Sequence, residues 1–371
     1  MKVLHVYAGN LFGGIETLLV TLARERHLCL GMEPQFALCF EGRLSQELTD
    51  TGVAVHQLGS VKLRYPWQVM RARQSLARVI RQESIDVVIC HACWPQAIFG
   101  SVVKKLGKKL FFWCHDIPNG QSIIEKLAKL VIPDFAIANS HFTQQHLDVL
   151  YPQFQIQSQV IYAPVVPIQF EHPYDIRQKI RDSLGTSDDT VVITQVSRME
   201  RWKGHALSIA ALGLMQDITN WEYWIVGGVQ RESEQSYRAE LERQIQEIGL
   251  EDRVRWLGQR NDVPQVLVAS DIFCQPNLGT EPFGIAFIEA LYAGLPVVTV
   301  AIGGGGEIVN SECGYAVAPG NVGEIAAALR ELVQNPAKRQ QFRSLAIHRA
   351  TELCDPQRQI EIVRQVTAEL C

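Results

Sequence analysis

Short apolar runs rich in β-branched residues alternate with segments of helical spacing along nearly the whole chain. The first such unit has an apolar run over residues 2–7, a glycine-containing loop, and a helical pattern over residues 15–26. Strands that alternate with helices predict βαβ units with right-handed crossovers, and therefore parallel sheets. Because ligands of such sheets bind at the carboxyl ends of the strands, the loops after strands are where a site is expected.

Length and composition set the scale of this α/β architecture. The 371 residues suffice for two domains, and an apolar content of 47% suffices for a core in each. Lys and Arg total 35 against 39 Asp and Glu, so no global positive field indicates a nucleic-acid partner. No apolar run reaches the roughly 18 residues of a transmembrane helix. The N-terminal sequence MKVLHVYAG lacks the apolar core and cleavage site of a signal peptide.

Cysteine usage indicates the compartment. The nine cysteines are an odd number, and several fall in predicted buried strands. These are Cys39, Cys90, Cys114 and Cys274. Reduced thiols in a cytoplasmic protein fit this pattern better than a disulfide framework.

Two Cys–His clusters raise the alternative of a zinc site. The CHAC sequence at 90–93 has a spacing that zinc accepts, and a second CH pair occurs at 114–115. Both clusters interrupt apolar strands, and nothing else of C-x2-C type accompanies them. The better interpretation is therefore that these cysteines and histidines lie together at strand ends by coincidence.

The stretch 271–293 reads as strand, loop and helix. The free N–H groups at the start of such a helix, together with the helix dipole, make an anion site near Gly284. Glu281 precedes this helix, and Glu289 lies roughly 7 Å further along it. A carboxylate at such a place can accept two hydrogen bonds from a vicinal diol such as a ribose. The stretch therefore suits a ligand that joins a sugar, a diphosphate and a ribose.

Two further strand ends carry residues suited to the same ligand. The segment SRMERWKG follows a predicted strand over 190–197, and its Arg198 and Lys203 can neutralise a diphosphate. His115 ends the strand of FFWCHDIP, next to an acid and a proline-stiffened loop. Its neutral imidazole can hydrogen bond a sugar hydroxyl, and its charge is expected to be tunable near neutral pH.

These segments resemble the motifs of glycosyltransferase family 4. Glu281 and Glu289 form an E-x7-E pair within EPFGIAFIEALYAGLPVV, which is similar to the donor-site signature of that family. SRMERWKG is similar to its S-R-L-x-x-x-K-G segment, with Met199 in place of Leu. WEYWIVGG is similar to I-x-G-x-G, and AIGGGGEIV, which contains Glu307, is similar to GGxxE. The resemblance covers nearly all of the chain.

The resemblance implies an α/β protein with the GT-B fold, in which two Rossmann-like domains with parallel sheets face a central cleft. The implied domains are an acceptor-binding domain over 1–165 and a nucleotide-sugar-binding domain over 166–353. The boundary falls in the proline-containing segment APVVPIQFE. Residues 354–371 are expected to form a helix that crosses back to the first domain.

The resemblance also implies site residues. The catalytic pair would be His115 next to the transferred sugar and Glu281 holding that sugar. The implied donor-binding residues are Gly13, Gly14, Arg198, Lys203, Gln259, Arg260, Phe283, Gly284, Ile285, Ala286 and Glu289. No metal or other cofactor is expected, because cations and a helix terminus neutralise the diphosphate and no D-x-D pair ends a strand.

The implied activity is transfer of a hexosyl group, with retention, from a nucleotide sugar to a saccharide or lipid-linked saccharide in exopolysaccharide or envelope glycan synthesis. UDP-glucose is the favoured donor, and GDP-mannose is next. The protein is expected to be cytoplasmic. Lysines over 104–109 and arginines over 71–81 add the hypothesis of peripheral contact with the inner face of the membrane.

Two other classes stay open. A GT-B nucleotide-sugar epimerase would turn over donor without an acceptor, and the E-x7-E pair argues against it. A non-catalytic nucleotide-binding protein is the second alternative. The chain lacks the G-x-G-x-x-G spacing, and it contains a second half with residues suited to phosphate binding. Both observations argue against that interpretation.

Overall fold

A computed structural model describes residues 1–9, 13–152, 156–229 and 231–370. The chain divides into two compact units. The N-terminal unit comprises Met1–Val166 together with Cys354–Cys371, and the C-terminal unit comprises Pro167–Leu353. Among the helices of the described ranges, none combines the length and apolarity that crossing a bilayer requires.

The N-terminal unit contains a seven-stranded parallel sheet with the order β3-β2-β1-β4-β5-β6-β7. Its strands are β1 Lys2–Tyr7, β2 Glu33–Leu38, β3 Val55–Gln57, β4 Val87–His91, β5 Lys109–Cys114, β6 Phe135–Ala138 and β7 Ser158–Val160. The strand order reverses between β1 and β4, which makes this the topological switch point where α/β sheets bind ligands.

Helices cover this sheet. They are α1 Gly14–Arg24, α2 Arg43–Asp50, α3 Pro66–Gln82, α4 Cys93–Lys105, α5 Ile123–Ala128, α6 His141–Gln145, α7 Leu147–Leu150 and, from the end of the chain, α16 Pro356–Glu369. Leu76 of α3 and Phe99 of α4 pack with Val88 of β4 in one buried cluster. Each helix buries its apolar face against the sheet, and for this reason α3 and α4 lie side by side on it.

The C-terminal unit contains a six-stranded parallel sheet with the order β10-β9-β8-β11-β12-β13. Its strands are β8 Val191–Val196, β9 Trp221–Val226, β10 Val254–Gly258, β11 Ile272–Gln275, β12 Val297–Val300 and β13 Gly314–Val317. Its helices are α8 Pro173–Leu184, α9 His205–Gly213, α10 Glu232–Ile248, α11 Val263–Ala269, α12 Ile285–Tyr292, α13 Gly303–Ile308, α14 Val322–Gln334 and α15 Pro336–Cys354. The switch point of this sheet lies between β8 and β11.

The predicted α/β class with two parallel sheets is confirmed. Small differences occur at the ends of elements. The strand expected to extend from Val53 to Leu58, for example, is only Val55–Gln57. The alternation of patterns predicted the elements because each is governed by local periodicity. Their order in each sheet is decided by packing.

Candidate active site

The loops that follow β8 and β11 touch at the switch point of the C-terminal sheet. Gly204 ends a short 3-10 turn after β8 with φ +78°, and a Cβ there would lie 1.9 Å from the carbonyl oxygen of Pro276. The amide of Leu278 donates a hydrogen bond to the carbonyl of Trp202 at 2.8 Å. Only glycine fits so close an approach, so Gly204 brings the two predicted motif segments together.

Lys203 and Glu281 form the centre of this contact. The Lys203 ammonium donates a hydrogen bond to Glu281 Oε2, and the side chains are only 14% and 11% exposed. Lys203 Nζ also lies 4.0 Å from the centre of the Trp202 ring, a cation–π arrangement. Asn277 Nδ2 donates to the same carboxylate oxygen at 3.5 Å. The structure thus pairs two residues that the sequence predicted as separate donor contacts.

Arg198 has a different partner. Its guanidinium forms an ion pair with Glu200 at 3.0 Å, and the Arg198 side chain is 34% exposed. Trp202 Nε1 donates to the same Glu200 oxygen at 3.0 Å. Glu200 was missed by the sequence reasoning, since an acid inside a cationic motif has no signal of its own. Arg198 is therefore engaged by a carboxylate two residues away, and its contact with a diphosphate stays a prediction.

The first turn of α12 is the predicted anion site. Gly284 precedes it with φ +104°, and a Cβ there would lie 2.5 Å from Phe287 Cδ2. Because α12 begins at Ile285, the amides of Ile285 and Ala286 belong to the first turn and have no acceptor within the helix. These N–H groups are available to an anionic oxygen, and the diphosphate contact at this place stays a prediction.

The glycine run of α13 supports the backbone in front of α12. A Cβ on Gly303 would lie 2.5 Å from the carbonyl oxygen of Glu281, and one on Gly304 would lie 2.4 Å from Phe283 Cα. The Gly304 amide donates to the Glu281 carbonyl at 2.7 Å. A side chain would not fit here, so the glycines let the backbone of α13 pack directly against the backbone of Glu281 and Phe283.

Glu289 lies one turn into α12. Its side chain is partly exposed, yet desolvation by its surroundings raises the pKa of Glu289 to about 7. No charged neighbour contributes to this shift. A carboxyl group that is desolvated without a cationic partner is a frequent mark of a ligand contact.

Gln259 and Arg260 lie at the end of β10, two strands from β8. Arg260 binds both carboxylate oxygens of Asp262, at 2.8 and 2.6 Å, and this contact raises its pKa. Gln259 Cβ would lie 2.9 Å from a Cβ placed on Gly228, so the ends of β9 and β10 are in close contact. The guanidinium is thus already engaged by Asp262, and any base contact of these two residues stays a prediction.

Gly13 and Gly14 begin α1 in the N-terminal unit. The Gly13 carbonyl accepts hydrogen bonds from the amide and the hydroxyl of Thr17, both at 3.0 Å. The φ of Gly13 is −170°, an extended value that any residue adopts. The preceding loop residues 10–12 lie outside the described residues. The conformation of Gly13 therefore does not itself require glycine, and the role of both glycines at the donor stays a prediction.

His115 follows β5 and is 6% exposed. Its Nε2 is hydrogen bonded to His91 Nδ1 at 2.9 Å, and the two ring planes are nearly parallel, with an interplanar angle of 11°. Burial lowers the pKa of His115 to about 3. The expectation that its charge is tunable near neutral pH is therefore wrong: burial keeps the imidazole neutral, and it acts as a hydrogen-bonding group.

The Cys–His clusters do not present zinc ligands. Both ring nitrogens of His91 are used in hydrogen bonds to His5 and His115. In the part of the chain that the structure describes, no group of three or more His, Cys, Asp or Glu side chains is arranged to hold a metal ion. The eight cysteines within the described residues are all free and buried.

Sequence reasoning missed His91 as the partner of His115, and His5 as the partner of His91. Both lie in strands that otherwise read as continuous apolar runs, KVLHVY and VVICH. A histidine inside each of two such runs is a signal, because a buried imidazole requires a polar partner.

Comparison with known proteins identifies the class. The profile of Glycosyltransferase Family 4 matches residues 12–167, and that of Glycosyl transferases group 1 matches residues 176–349. The lipopolysaccharide core biosynthesis glycosyltransferase LpsD of Rhizobium meliloti is 26% identical over 92% of this chain and 91% of its own. The chain belongs to the glycosyltransferases of the GT-B fold.

Other similar proteins share this fold or parts of the sequence. Anabaena HepE, solved in complex with UDP, has a TM-score of 0.85 at 23% identity over 100% of both chains. A phosphatidyl-myo-inositol mannosyltransferase of Mycobacterium leprae is 32% identical over 38% of this glycosyltransferase, and the match spans only 36% of the relative. The predicted transferase class and GT-B fold are confirmed.

Proposed function

We propose that this chain is a retaining glycosyltransferase that moves a hexosyl group, glucose in first place, from a UDP-sugar to a saccharide or lipid-linked saccharide of an exopolysaccharide or envelope glycan. The observation that carries the proposal is the ion pair of Lys203 and Glu281 next to α12. Glu281 Cγ lies 3.2 Å from the position that a Gly284 Cβ would take, so the carboxylate and the helix start are adjacent.

A diphosphate would be bound by Lys203 and by the first amides of α12. The Lys203 ammonium is neutralised by Glu281. Phosphate oxygens that replace Glu281 as its partner would free this carboxylate to accept hydrogen bonds from sugar hydroxyls. The same cation and helix terminus would stabilise the charge that develops on the leaving diphosphate. We therefore propose that the reaction requires no metal ion.

The choice of donor follows from the relatives. Anabaena HepE has been solved in complex with UDP-glucose and, at 25% identity to this chain, with UDP and glucose. A Corynebacterium glutamicum relative that is 26% identical over 75% of this chain is named as a GDP-mannose-dependent mannosyltransferase. UDP-glucose is thus proposed first and GDP-mannose second.

Calorimetric titration of the purified protein with UDP-glucose and with GDP-mannose, both in EDTA, tests this function. We expect UDP-glucose to bind without metal, and Glu289→Ala to weaken that binding about tenfold or more because the ribose loses its acceptor. Glu251→Ala, an exposed acid of the same unit, is the matched control and should bind as the wild type does. Binding that needs a divalent cation, or that ignores Glu289, would contradict the proposed donor site.

The affinity for UDP-glucose should also depend on pH. The protonated Glu289 carboxyl accepts hydrogen bonds less well than the carboxylate, and its pKa of about 7 leaves it mostly protonated at pH 6 and mostly ionised at pH 8. Binding to the carboxylate releases a proton, so the affinity rises with pH, by about tenfold between these values.

UDP-glucose is the suitable ligand for this experiment because its diphosphate diester does not titrate in that range. Calorimetry at pH 6, 7 and 8 is the measurement, and Glu289→Gln should lose the pH dependence. An affinity that is constant in the wild type, or an unchanged slope in the variant, would refute the assignment of Glu289 as the diol acceptor.

A basic helical face supports contact with an anionic membrane. Residues 51–115 contain ten cationic residues and only two acids, Glu83 and Asp86, although the whole chain has a net charge of −4. The cations are Lys62, Arg64, Arg71, Arg73, Arg78, Arg81, Lys104, Lys105, Lys108 and Lys109. They lie largely on α3 and at the end of α4, two helices that pack together.

Large apolar side chains are exposed in the same helical layer. Trp67 and Met70 of α3 are 54% and 60% exposed. Ile123 of α5 and Leu130 just after it are 72% and 78% exposed, and α5 packs against α4. Cations that flank exposed apolar side chains are the combination that binds a negatively charged lipid surface.

Vesicle sedimentation tests this contact. We expect binding to vesicles with anionic phosphatidylglycerol and much weaker binding to neutral phosphatidylcholine. Since each cation near such a surface contributes about 1 kcal/mol, the double variant Arg71→Glu, Lys105→Glu should bind at least about tenfold more weakly. Lys179→Glu, an exposed lysine of α8, is the control and should bind nearly as the wild type does. Equal binding of the double variant and the control would show that this face does not bind the membrane.

A further inference from the structure

Three hydrogen-bonded histidines cross the N-terminal sheet at its switch point. His5 of β1 is hydrogen bonded through Nδ1 to His91 Nε2 at 2.9 Å, and His91 of β4 is bonded through Nδ1 to His115 Nε2 at 2.9 Å. The ring centroids are 5.2 Å apart in both pairs. His5 and His91 are fully buried. We call His5, His91 and His115 the histidine file.

The protons in the histidine file are coupled. Burial keeps all three imidazoles neutral, so each carries one N–H and one bare nitrogen. His91 must donate to one neighbour and accept from the other. Only two arrangements satisfy both hydrogen bonds: every N–H points inward toward His5, or every N–H points outward toward His115.

The inner end of the histidine file selects between these arrangements. His5 Nε2 is buried and has no hydrogen-bond partner among the described residues. The inward arrangement would place an N–H at this position, and a buried N–H without an acceptor is the rarer and costlier defect. The outward arrangement leaves only a bare nitrogen there and puts a proton on His115 Nδ1.

We propose that His5 and His91 are positioning residues that hold His115 as the Nδ1–H tautomer, so that it offers a fixed hydrogen-bond donor to a hydroxyl oxygen of the sugar. The identity of that oxygen rests on the proposed function. Within the described part of the chain, His115 Nδ1 makes no hydrogen bond and is not among the buried polar atoms that lack a partner, so it can reach a ligand.

The backbone next to His91 provides an independent observation. Ala92 has a φ of +72°, although alanine is disfavoured in this region. Its amide donates to the carbonyl of Trp113 at 2.9 Å, and the Trp113 ring stacks on His91 at 5.2 Å. Such local strain persists where the surrounding structure over-determines the backbone, and it clusters at functional sites.

The tautomer can be measured directly. Long-range 15N–1H correlation spectra of the full chain labelled at histidine distinguish a protonated from a bare ring nitrogen. In the wild type we expect His115 to carry its proton on Nδ1. In His91→Asn the side-chain amide still donates to His115 Nε2, and the tautomer should persist. In His91→Leu the donor is lost, and the proton should move at least partly to Nε2.

Kinetics separate positioning from a merely structural role. With UDP-glucose and water as acceptor, UDP release by His91→Leu should have a kcat about tenfold lower and a KM within about twofold of the wild type. His91→Asn should retain most of the activity. If His91→Leu does not fold, His5→Leu and His5→Asn form the same pair of variants one residue further along the file.

The outcomes are distinct. A wild-type His115 protonated on Nε2, or a His91→Leu protein with unchanged tautomer, would overturn the inference. Equal losses in the Leu and Asn variants would also overturn it, because only packing would then be at stake. If the wild type neither binds nor cleaves UDP-glucose, the proposed function fails, whereas the tautomer measured in the spectra still decides the inference.

Discussion

Replacing Lys203 by methionine is expected to lower the rate of UDP release from UDP-glucose by roughly a hundredfold to a thousandfold. This is the effect of removing one preorganised group that faces developing negative charge. Methionine keeps the length and the apolar stem of lysine, so the packing against Trp202 is largely retained. Steady-state kinetics with water as acceptor gives kcat and KM separately, and the loss should fall mainly on kcat.

The buried partner of Lys203 requires a control in this experiment. Lys203→Met leaves the Glu281 carboxylate without its cation, which itself destabilises the site. The double variant Lys203→Met, Glu281→Gln removes both charges and should recover stability but not activity. Lys179→Met, at an exposed position, should behave as the wild type does. A Lys203→Met enzyme within about threefold of wild-type kcat would show that the lysine does not act on the leaving group.

Replacing Asp271 by alanine is expected to destabilise the C-terminal unit by about 3–5 kcal/mol, the usual result of removing one partner of a buried ion pair. Asp271 binds Arg181 at 2.6 Å and Arg177 at 2.8 Å, and it accepts the Val192 amide at 2.8 Å. The Arg181 side chain is completely buried. Without Asp271, this guanidinium would lose its counter-charge in a place that water does not reach.

Hydrogen exchange of the β8 amides, together with denaturant unfolding, measures this loss locally and globally. The chain provides a matched control in Asp217, which binds Arg330 through both carboxylate oxygens on the surface. Asp217→Ala should change stability little, because exposed ion pairs contribute little. Similar losses in the two variants would mean that the burial of Arg181 is not the cause.

The strand-end positions of the candidate residues could be predicted from the sequence. Lys203 follows β8, Glu281 follows β11 and His115 follows β5, each in a loop that the apolar pattern had already placed at a carboxyl end. The pattern suffices for this because strand and helix periodicity is local, and parallel sheets bring all the carboxyl ends to one edge.

The partners of these residues could not be predicted. Lys203 and Glu281 are 78 residues apart, and His5 and His91 are 86 residues apart. Nothing in the local sequence around Lys203 or Glu281 indicates the other residue. The histidines inside the apolar runs of β1 and β4 indicate that each needs a polar partner, but not which residue it is. Arg260 and Asp262 are an exception, because they lie only two residues apart in the sequence. Even here, only the three-dimensional structure shows that the Arg260 guanidinium binds Asp262.

The sequence by itself thus determined the α/β class, the two parallel sheets and the chemistry available at the strand ends, because these depend on spacing along the chain. The tertiary structure alone decided which buried polar groups satisfy one another: the ion pair at α12, the histidine file, and the arginines around Asp271. Burial makes an unpaired polar group costly, so each must find a partner through space, and that choice is set by the packing of the sheets.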